Sequence, residues 1–286
     1  MQRKRVVCPL FFVFVLVEDD KVSISLGAAW RQRDLFVQLV RREVVGRYRG
    51  SALGMLWAFV TPLLMLGVYT FVFVGIFQMR WAGAENGGGM AYGLRLFAGL
   101  IVFNLFAEVV SRAPGSILEQ PNLVKRVVFP LELQAQVALT AALFHFAVSA
   151  ALLLLATGLW LGWSASMLLL PLAVLPLLPL LLGLAWLLSA LGVFVRDLGQ
   201  FIGLAVSLLL FLSPVFYGVE RLPAAVQPWM AVNPLAWPIE HVRRAVFGGT
   251  AFDWPAWGLS LALGLLVAAL GAWVFARLRG GFADVV

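Results

Sequence analysis

Four residues just before the chain's first long uncharged run have side chains that could bind phosphate. Arg47, Tyr48, Arg49 and Ser51 lie within the five residues RYRGS. A guanidinium group donates paired N–H groups that match two phosphate oxygens. At the depth of the lipid headgroups, these residues could therefore hold a phosphorylated molecule. The alternative is that both arginines only anchor the chain on the cytoplasmic side of a membrane, where Lys and Arg residues accumulate.

A carboxylate lies inside the next apolar stretch. Glu108 falls within residues 92–111, which are long enough to cross a membrane. An ionisable group at that depth is costly to bury unpaired, so it is a candidate for function. Arg112, four residues later on the same helix face, is its expected partner. A local structural pair without a further role is the alternative.

The residue inventory argues against metal and nucleotide chemistry in this chain. It has one cysteine, Cys8, and two histidines, His145 and His241, which are far apart in sequence. Such a set predicts no metal site. None of the lysines follows a glycine, so the Gly-Lys-Ser/Thr sequence that cradles nucleotide phosphates is missing. Any role driven by ATP requires a separate ATPase chain.

Composition defines the class of protein. Of 286 residues, 62% are hydrophobic and 12% charged, with a net charge of +7. A soluble domain carries about twice that charged fraction. These values exclude a soluble enzyme, a secreted module and a disordered chain, and they predict an all-α integral membrane protein. The positive charge is expected to set orientation, and nucleic acid is not an expected partner.

Hydropathy divides the chain into six predicted transmembrane helices. Each covers roughly the 20 residues that a bilayer core requires. The predicted spans are residues 52–78, 92–112, 133–161, 167–194, 198–217 and 254–276. With the amino terminus inside, sixteen Lys and Arg residues fall on the inner side and five on the outer. Both termini are therefore predicted to be cytoplasmic.

The region before the first span has two parts. Residues 1–27 form a basic and then apolar extension, for which an interfacial anchor, a signal-like segment and a misassigned start codon are alternatives; the last is preferred. Residues 28–49 place Phe36, Val40 and Val44 on one apolar stripe opposite basic residues. That pattern predicts an amphipathic helix in the membrane interface, or else a helix packed on a partner. Residues 50–286 form the transmembrane domain.

Two further segments have unusual patterns. Trp57, Thr61 and Tyr69 follow one another at helical spacing on the first span, and they either pack against neighbours or line a passage. Residues 213–253 are rich in proline yet apolar, which predicts short helices between spans five and six that dip into the outer leaflet. Glu240, His241 and Asp253 nearby could serve a membrane enzyme acting on a lipid-linked sugar, a remote alternative.

Several segments together resemble the permease subunit of type-2 ABC exporters, in the branch that exports lipid-linked polysaccharides. They are RYRGSALGMLWAFVTPLLMLGVYTFVF, NLFAEVVSRAPGSILEQPNLVKRVVFPLE, VRDLGQ, SPVFYG and VNPL. The resemblance runs from about Trp30 to the carboxyl end. It implies a homodimer associated with two copies of an ATPase subunit. ATP and Mg would be bound by that partner, and this chain would bind no cofactor.

The resemblance also implies roles for particular residues. The residues that would contact the ATPase are Ser116, Ile117, Leu118, Glu119, Gln120, Asn122, Leu123, Arg196 and Asp197. The residues that would line a channel are Trp57, Thr61, Tyr69, Phe211, Phe216 and Tyr217. Arg47, Tyr48, Arg49 and Ser51 would meet a lipid pyrophosphate where it enters.

The function implied is ATP-driven export of an undecaprenyl-pyrophosphate-linked polysaccharide across the bacterial inner membrane. O antigen, the polysaccharide of lipopolysaccharide, is the expected cargo, with teichoic acid or capsular polysaccharide as alternatives. The remaining partners implied are membrane lipids.

Overall fold

The computed structural model describes residues 32–79, 88–119, 130–230, 232–248 and 251–285. Within these ranges the chain is helical and contains no β-strand. The extension 1–27, the first residues of the predicted interface helix, and Gln120, Asn122 and Leu123 lie outside the described residues. An all-helical fold agrees with the prediction.

The first described helix, α1, spans Arg33–Gly46. Leu39 and Val44 are buried, while Arg41 and Arg42 on the opposite side are exposed. The buried stripe packs against a later helix of the same chain, α4 (Leu133–Trp160). The predicted amphipathic pattern is confirmed, and the partner of its apolar face is the protein itself.

Among the described residues, five helical segments are long and apolar enough to cross a bilayer. They are Gly54–Ile76, Gly88–Gly115, Leu133–Trp160, Ala165–Phe194 and Trp254–Gly281. The first three contain α2 (Trp57–Thr70), α3 (Gly88–Arg112) and α4, in that order. The fourth contains two helices, α5 (Leu170–Val174) and α6 (Leu177–Phe194), and the last contains α10 (Trp254–Leu278). The predicted turn between the third and fourth spans is confirmed, and Gly162 adopts there a φ of +94° that favours glycine.

The fifth predicted span, residues 198–217, is shorter than expected. Helix α7 covers Leu198–Leu212, and the chain becomes extended at Ser213, one residue before Pro214. Fifteen residues of helix rise about 22 Å, which is less than a hydrocarbon core of about 30 Å. Proline removes a backbone donor and disfavours helix in the residue before it, so the helix ends five residues early.

The segment between α7 and α10 contains short helices, as predicted. Helix α8 spans Gln227–Met230 and α9 spans Ala236–Phe247, and a four-residue helix, α11 (Phe282–Val285), ends the described chain. One side of α9 is buried, with Ile239 and Val242 fully covered, and it packs against α3. The apolar side chains of α9 therefore pack mainly against other helices of the protein.

Helix α3 lies in the middle of the bundle, with most of its residues buried and with α2, α4, α6, α7 and α9 around it. We call the end of the bundle that carries the carboxyl terminus of α3 and the helix α1 the α1 end, and the opposite one the α9 end. Every helix that carries a candidate functional residue therefore has its position set relative to α3.

Helices α6 and α10 approach each other closely through small residues. A Cβ atom on Gly264 would lie 2.7 Å from the carbonyl oxygen of Pro176, and one on Gly271 would overlap the backbone of Gly183. Ala272 is buried in the same face. Small residues on one face of α10 therefore allow the two helices to approach closely.

Replacing Gly271 by alanine should therefore lower the stability of the bundle. The new methyl group has no space, and overpacking of this kind typically costs about 1–3 kcal/mol. Gly258→Ala is the matched control, because it lies on the same helix with open space around it. Thermal denaturation of the two purified variants in detergent measures the difference. Equal midpoints would contradict the close packing.

Candidate functional site

The phosphate-binding candidate Arg47 lies within an ionic network. Its Nη2 is 2.6 Å from Oε1 of Glu108, and its Nη1 is 3.2 Å from Nδ1 of His145. The same His145 nitrogen is 3.1 Å from that Glu108 oxygen. The ring of Tyr48 meets the His145 ring edge-on at 5.9 Å. Burial raises the pKa of Tyr48. Its neutral ring therefore adds an aromatic contact to this network and no charge.

The second ion pair of this region joins Glu43 and Arg112. The predicted pairing of Glu108 with Arg112 is therefore wrong. Both residues face α1 and the turn after it, where Glu43 precedes Arg47 just as Glu108 precedes Arg112 on α3. The two segments run in opposite directions, so each carboxylate meets the arginine of the other segment. Pairing across the two segments neutralises all four charges and also joins α1 to α3, which a local pair on either segment would not do.

We call Glu43, Arg47, Glu108, Arg112 and His145 the ionic junction. The sequence prediction included neither Glu43 nor His145 in this site. A signal was present, because Glu43 with Arg47 and Glu108 with Arg112 have the same charge order and the same spacing of four residues, so two antiparallel segments bring opposite charges together. The junction holds α1 against α3 and α4.

The other two phosphate-binding candidates have different surroundings. Arg49 is exposed in the turn after α1. The Ser51 hydroxyl accepts a hydrogen bond of 3.0 Å from the Gly54 backbone N–H, at the start of the first span. Of the four predicted residues, Arg47 and Tyr48 thus belong to the junction, Ser51 caps a helical turn, and Arg49 remains open to solvent.

Aromatic side chains gather at the α9 end of the bundle. The ring of Phe216 stacks on Phe73 at 5.2 Å, on Phe211 at 5.8 Å and lies 6.0 Å from Tyr69. The ring of Tyr92 stacks on the ring of Phe73, with 6.4 Å between their centroids. We call these five residues the aromatic cluster.

The channel-lining prediction is thereby divided. Tyr69, Phe211 and Phe216 lie in the cluster, and the Tyr217 hydroxyl donates to the Phe211 carbonyl at 3.1 Å. Trp57 and Thr61 are exposed but lie on earlier turns of the same span, about 18 Å and 12 Å from Tyr69 along a helix axis. The prediction missed Phe73 and Tyr92. Continuing the four-residue spacing from Tyr69 would have reached Phe73.

The predicted ATPase contacts converge at the α1 end. Leu118 and Glu119 follow the last turn of α3, and Arg196 with Asp197 form the exposed turn between α6 and α7. The two segments adjoin, because a Cβ atom on Gly192 would overlap the backbone of Pro114. The prediction that Ile117 is a surface contact is wrong. It is 1% exposed and anchors the segment in the core, since an isoleucine gains more from burial than from contact with water.

Ser116 also serves the local fold, and its hydroxyl donates to the Ala113 carbonyl at 2.8 Å. It remains partly exposed beside Leu118. Of the predicted contacts within the described residues, Glu119, Arg196 and Asp197 are exposed, Ser116 and Leu118 are partly exposed, and Ile117 is buried.

The three side chains considered for an enzymatic site each have a structural partner. Glu240 accepts a 2.8 Å hydrogen bond from Arg243, and His241 Nε2 is 3.2 Å from the Asp253 carbonyl oxygen. Asp253 lies 3.4 Å from Arg244 and also accepts from the Ala256 backbone N–H. Burial lowers the pKa of His241. Across the described ranges, no three His, Cys, Asp or Glu residues form a metal-binding group.

A double-mutant cycle on the ionic junction tests the pairing across helices. Glu43→Gln and Arg112→Gln should each destabilise the protein, because each leaves one partly buried charge unpaired. The double substitution should cost less than the sum, with a coupling of about 0.5–1 kcal/mol for a pair that is partly exposed. Urea denaturation of the purified chain in detergent gives the values.

The control for this cycle is Arg41→Gln combined with Arg112→Gln, because Arg41 lies on the exposed side of α1. Its effects should add. Additive effects for Glu43 and Arg112 would contradict the junction.

Comparison with known proteins places this arrangement in a family. The O-antigen export system permease protein RfbA of Klebsiella pneumoniae is 23% identical over 93% of this chain and 99% of its own length. Its namesake in Myxococcus xanthus is 29% identical over 72% of this chain and 77% of its own. The capsule polysaccharide export inner-membrane protein CtrC of Neisseria meningitidis serogroup B is 26% identical over 76% of this chain and 80% of its own.

The family model described as ABC-2 type transporter matches residues 34–247. That match covers α1, the ionic junction, the aromatic cluster and α9, and it extends over well more than half of the chain. Together with the five membrane-crossing helical segments, it makes this chain an integral membrane protein of the ABC-2 type transporter family.

Proposed function

We propose that this chain is the permease subunit of an ATP-driven exporter of an undecaprenyl-pyrophosphate-linked polysaccharide, with O antigen as the cargo. The observation that carries this proposal is the match, over nearly its full length, to relatives named O-antigen export permeases. A relative named for capsule export supports capsular polysaccharide as the second candidate. Teichoic acid, exported by the same mechanism, is the third.

An ATPase subunit supplies the energy in this proposal. The sequence has no Gly-Lys-Ser/Thr motif of its own, so ATP and Mg are bound by the partner. Leu118 and Glu119 offer one contact at the α1 end, and Arg196 with Asp197 offers an adjoining one. Two separate chain segments on one end of the bundle give the ATPase a surface on which a closing motion can push. Two copies serve one permease pair.

The second permease copy packs against the open side of the first span. Within Gly54–Ile76 only Ala58 is buried in the single chain, and Leu64 and Val68 are more than half exposed. Leu204 and Leu208 of α7 are similarly open. A homodimer covers these faces and encloses a passage beside the aromatic cluster. Aromatic ring faces are flat and apolar, which suits the apolar faces of sugar rings.

The lipid pyrophosphate enters at the α1 end. Arg49 is exposed and makes the first contact, while Arg47 is held by Glu108 and becomes a second ligand only if that carboxylate releases it. The membrane is the bacterial inner membrane, and both termini face the cytoplasm. The excess of Lys and Arg on the segments assigned to the inner side supports this orientation. In this topology α7, although short, crosses together with the turn that follows it.

Complementation tests the function. In a strain that makes O antigen but lacks its export genes, this chain together with the ATPase encoded beside it should restore surface polysaccharide, seen by immunoblot of whole cells. The same pair with the ATPase nucleotide-binding lysine replaced should not. A strain lacking capsule export serves as the parallel arm. Restoration by this chain alone would contradict a permease driven by an ATPase, and restoration only in the capsule strain would reassign the cargo.

Arg49→Ala should lower export about tenfold, the value of one charge-assisted phosphate contact. Arg41→Ala is the matched control, because it is a similarly exposed arginine on α1, the helix that precedes this turn. The amount of surface polysaccharide at equal membrane levels of the protein measures both. Equal loss in the two variants would show that general surface charge, rather than a pyrophosphate contact, is responsible.

A further inference from the structure

The turn that follows α7 is irregular, and side chains from other segments occupy its backbone carbonyls. Residues 213–217 leave the helix at Ser213, which is extended. The Val215 carbonyl accepts from Arg243 at 2.7 Å, that of Phe216 from the Tyr92 hydroxyl at 2.8 Å, and that of Tyr217 from Arg243 at 3.3 Å. Non-helical backbone in a membrane protein persists where protein groups satisfy its polar atoms. Three consecutive carbonyls are satisfied here by two side chains.

Arg243 is built into the protein interior. It is 5% exposed, its charge is balanced by Glu240 at 2.8 Å, and its Nε donates to the Arg95 carbonyl of α3 at 3.2 Å. A planar guanidinium donates in fixed directions, so these contacts fix the position of every group that accepts from it. Gly99 provides the space, because a Cβ atom there would lie 2.9 Å from Nη2 of Arg243 and 3.2 Å from the Val215 backbone.

The turn held in this way carries a central ring of the aromatic cluster. Phe216 is the residue whose ring meets Phe73, Phe211 and Tyr69. Its carbonyl is fixed by Tyr92, and the carbonyls on either side are fixed by Arg243. A shift of this backbone would carry the Phe216 ring out of its stack.

We propose that Arg243 is a positioning residue of the exporter, which holds the 213–217 turn so that the Phe216 ring stays in the aromatic cluster along the polysaccharide route. Arg243 does not touch the polysaccharide in this proposal and acts through the backbone of the turn. The inference rests on the proposed function for the identity of the cargo. The position of the ring can be measured without any cargo.

The test uses fluorine NMR on the permease in complex with its ATPase. Para-fluorophenylalanine at position 216 reports the environment of that ring. Arg243→Gln keeps two donors but loses the charge and the fork, and it should shift or broaden the resonance. Tyr92→Phe keeps the ring and removes only the hydroxyl donor to the Phe216 carbonyl, so it serves as the second variant if Arg243→Gln does not fold, and it should change the resonance in the same way.

Arg244→Gln is the matched control. It is the next residue on α9, and its partner is Asp253 rather than the turn. It should leave the resonance of residue 216 as in the parent protein. In cells, Arg243→Gln should lower surface polysaccharide about tenfold, because small misplacements of a working group have effects of that order or larger, while ATP hydrolysis by the purified complex continues.

An unchanged fluorine resonance in Arg243→Gln and Tyr92→Phe would overturn the positioning role, even if export fell. A changed resonance with undiminished export would overturn the link to the polysaccharide route. If the parent protein exports no polysaccharide of any class, the proposed function fails. A change in the resonance of the variants would then still establish that Arg243 positions the Phe216 ring.

Discussion

A polar group without a partner is costly inside a membrane protein, and this cost accounts for both functional regions of the chain. At the α1 end the groups are charges, and Arg47 lies on Glu108 and His145 rather than in open headgroup space. At the α9 end they are backbone carbonyls, released where α7 stops before Pro214 and bound by Arg243 and Tyr92. In both regions an arginine from one segment joins elements that the sequence separates widely. In both regions the paired groups hold a segment in place, α1 at one end and the 213–217 turn at the other.

Properties that depend only on the order of residues along the chain could be predicted from the sequence. The length and position of the membrane-crossing helices follow from uncharged runs, and the stripe of α1 follows from helical spacing, so both agree with the structure. The end of α7 was misjudged because hydropathy continues through residue 217 although Pro214 interrupts the helix. The partner of Glu108 was misjudged because spacing along one helix offers only local pairs. Which helix faces which is decided by packing, and Glu43 became a partner only once α1 lay against α3.

The roles of the candidate residues likewise depend on packing between segments, which local sequence patterns do not report. Periodicity assigned Trp57, Thr61 and Tyr69 to one helix face, and they share it, but a face extends over the whole membrane thickness and only Tyr69 reaches the cluster. Arg243 looked like one of several charges near a possible catalytic group. Its contacts with carbonyls of residues 95, 215 and 217 depend on three segments meeting, and no local pattern reports such a meeting. The Gly99 that makes space for it is likewise unremarkable in sequence.

Helix α3 connects these two regions and the docking segment. It is one continuous helix of 25 residues, with Tyr92 near the α9 end, Gly99 at its middle and Glu108 near the α1 end. Sixteen residues of α-helix separate Tyr92 from Glu108, a distance of about 24 Å that the helix keeps constant. The segment proposed to receive the push of the ATPase follows α3 directly and packs on Gly192 of α6. A displacement of that segment must therefore either move Glu108 and the 213–217 turn together or break the contacts that hold them. The contacts that would have to break are those of the ionic junction and those of Arg243.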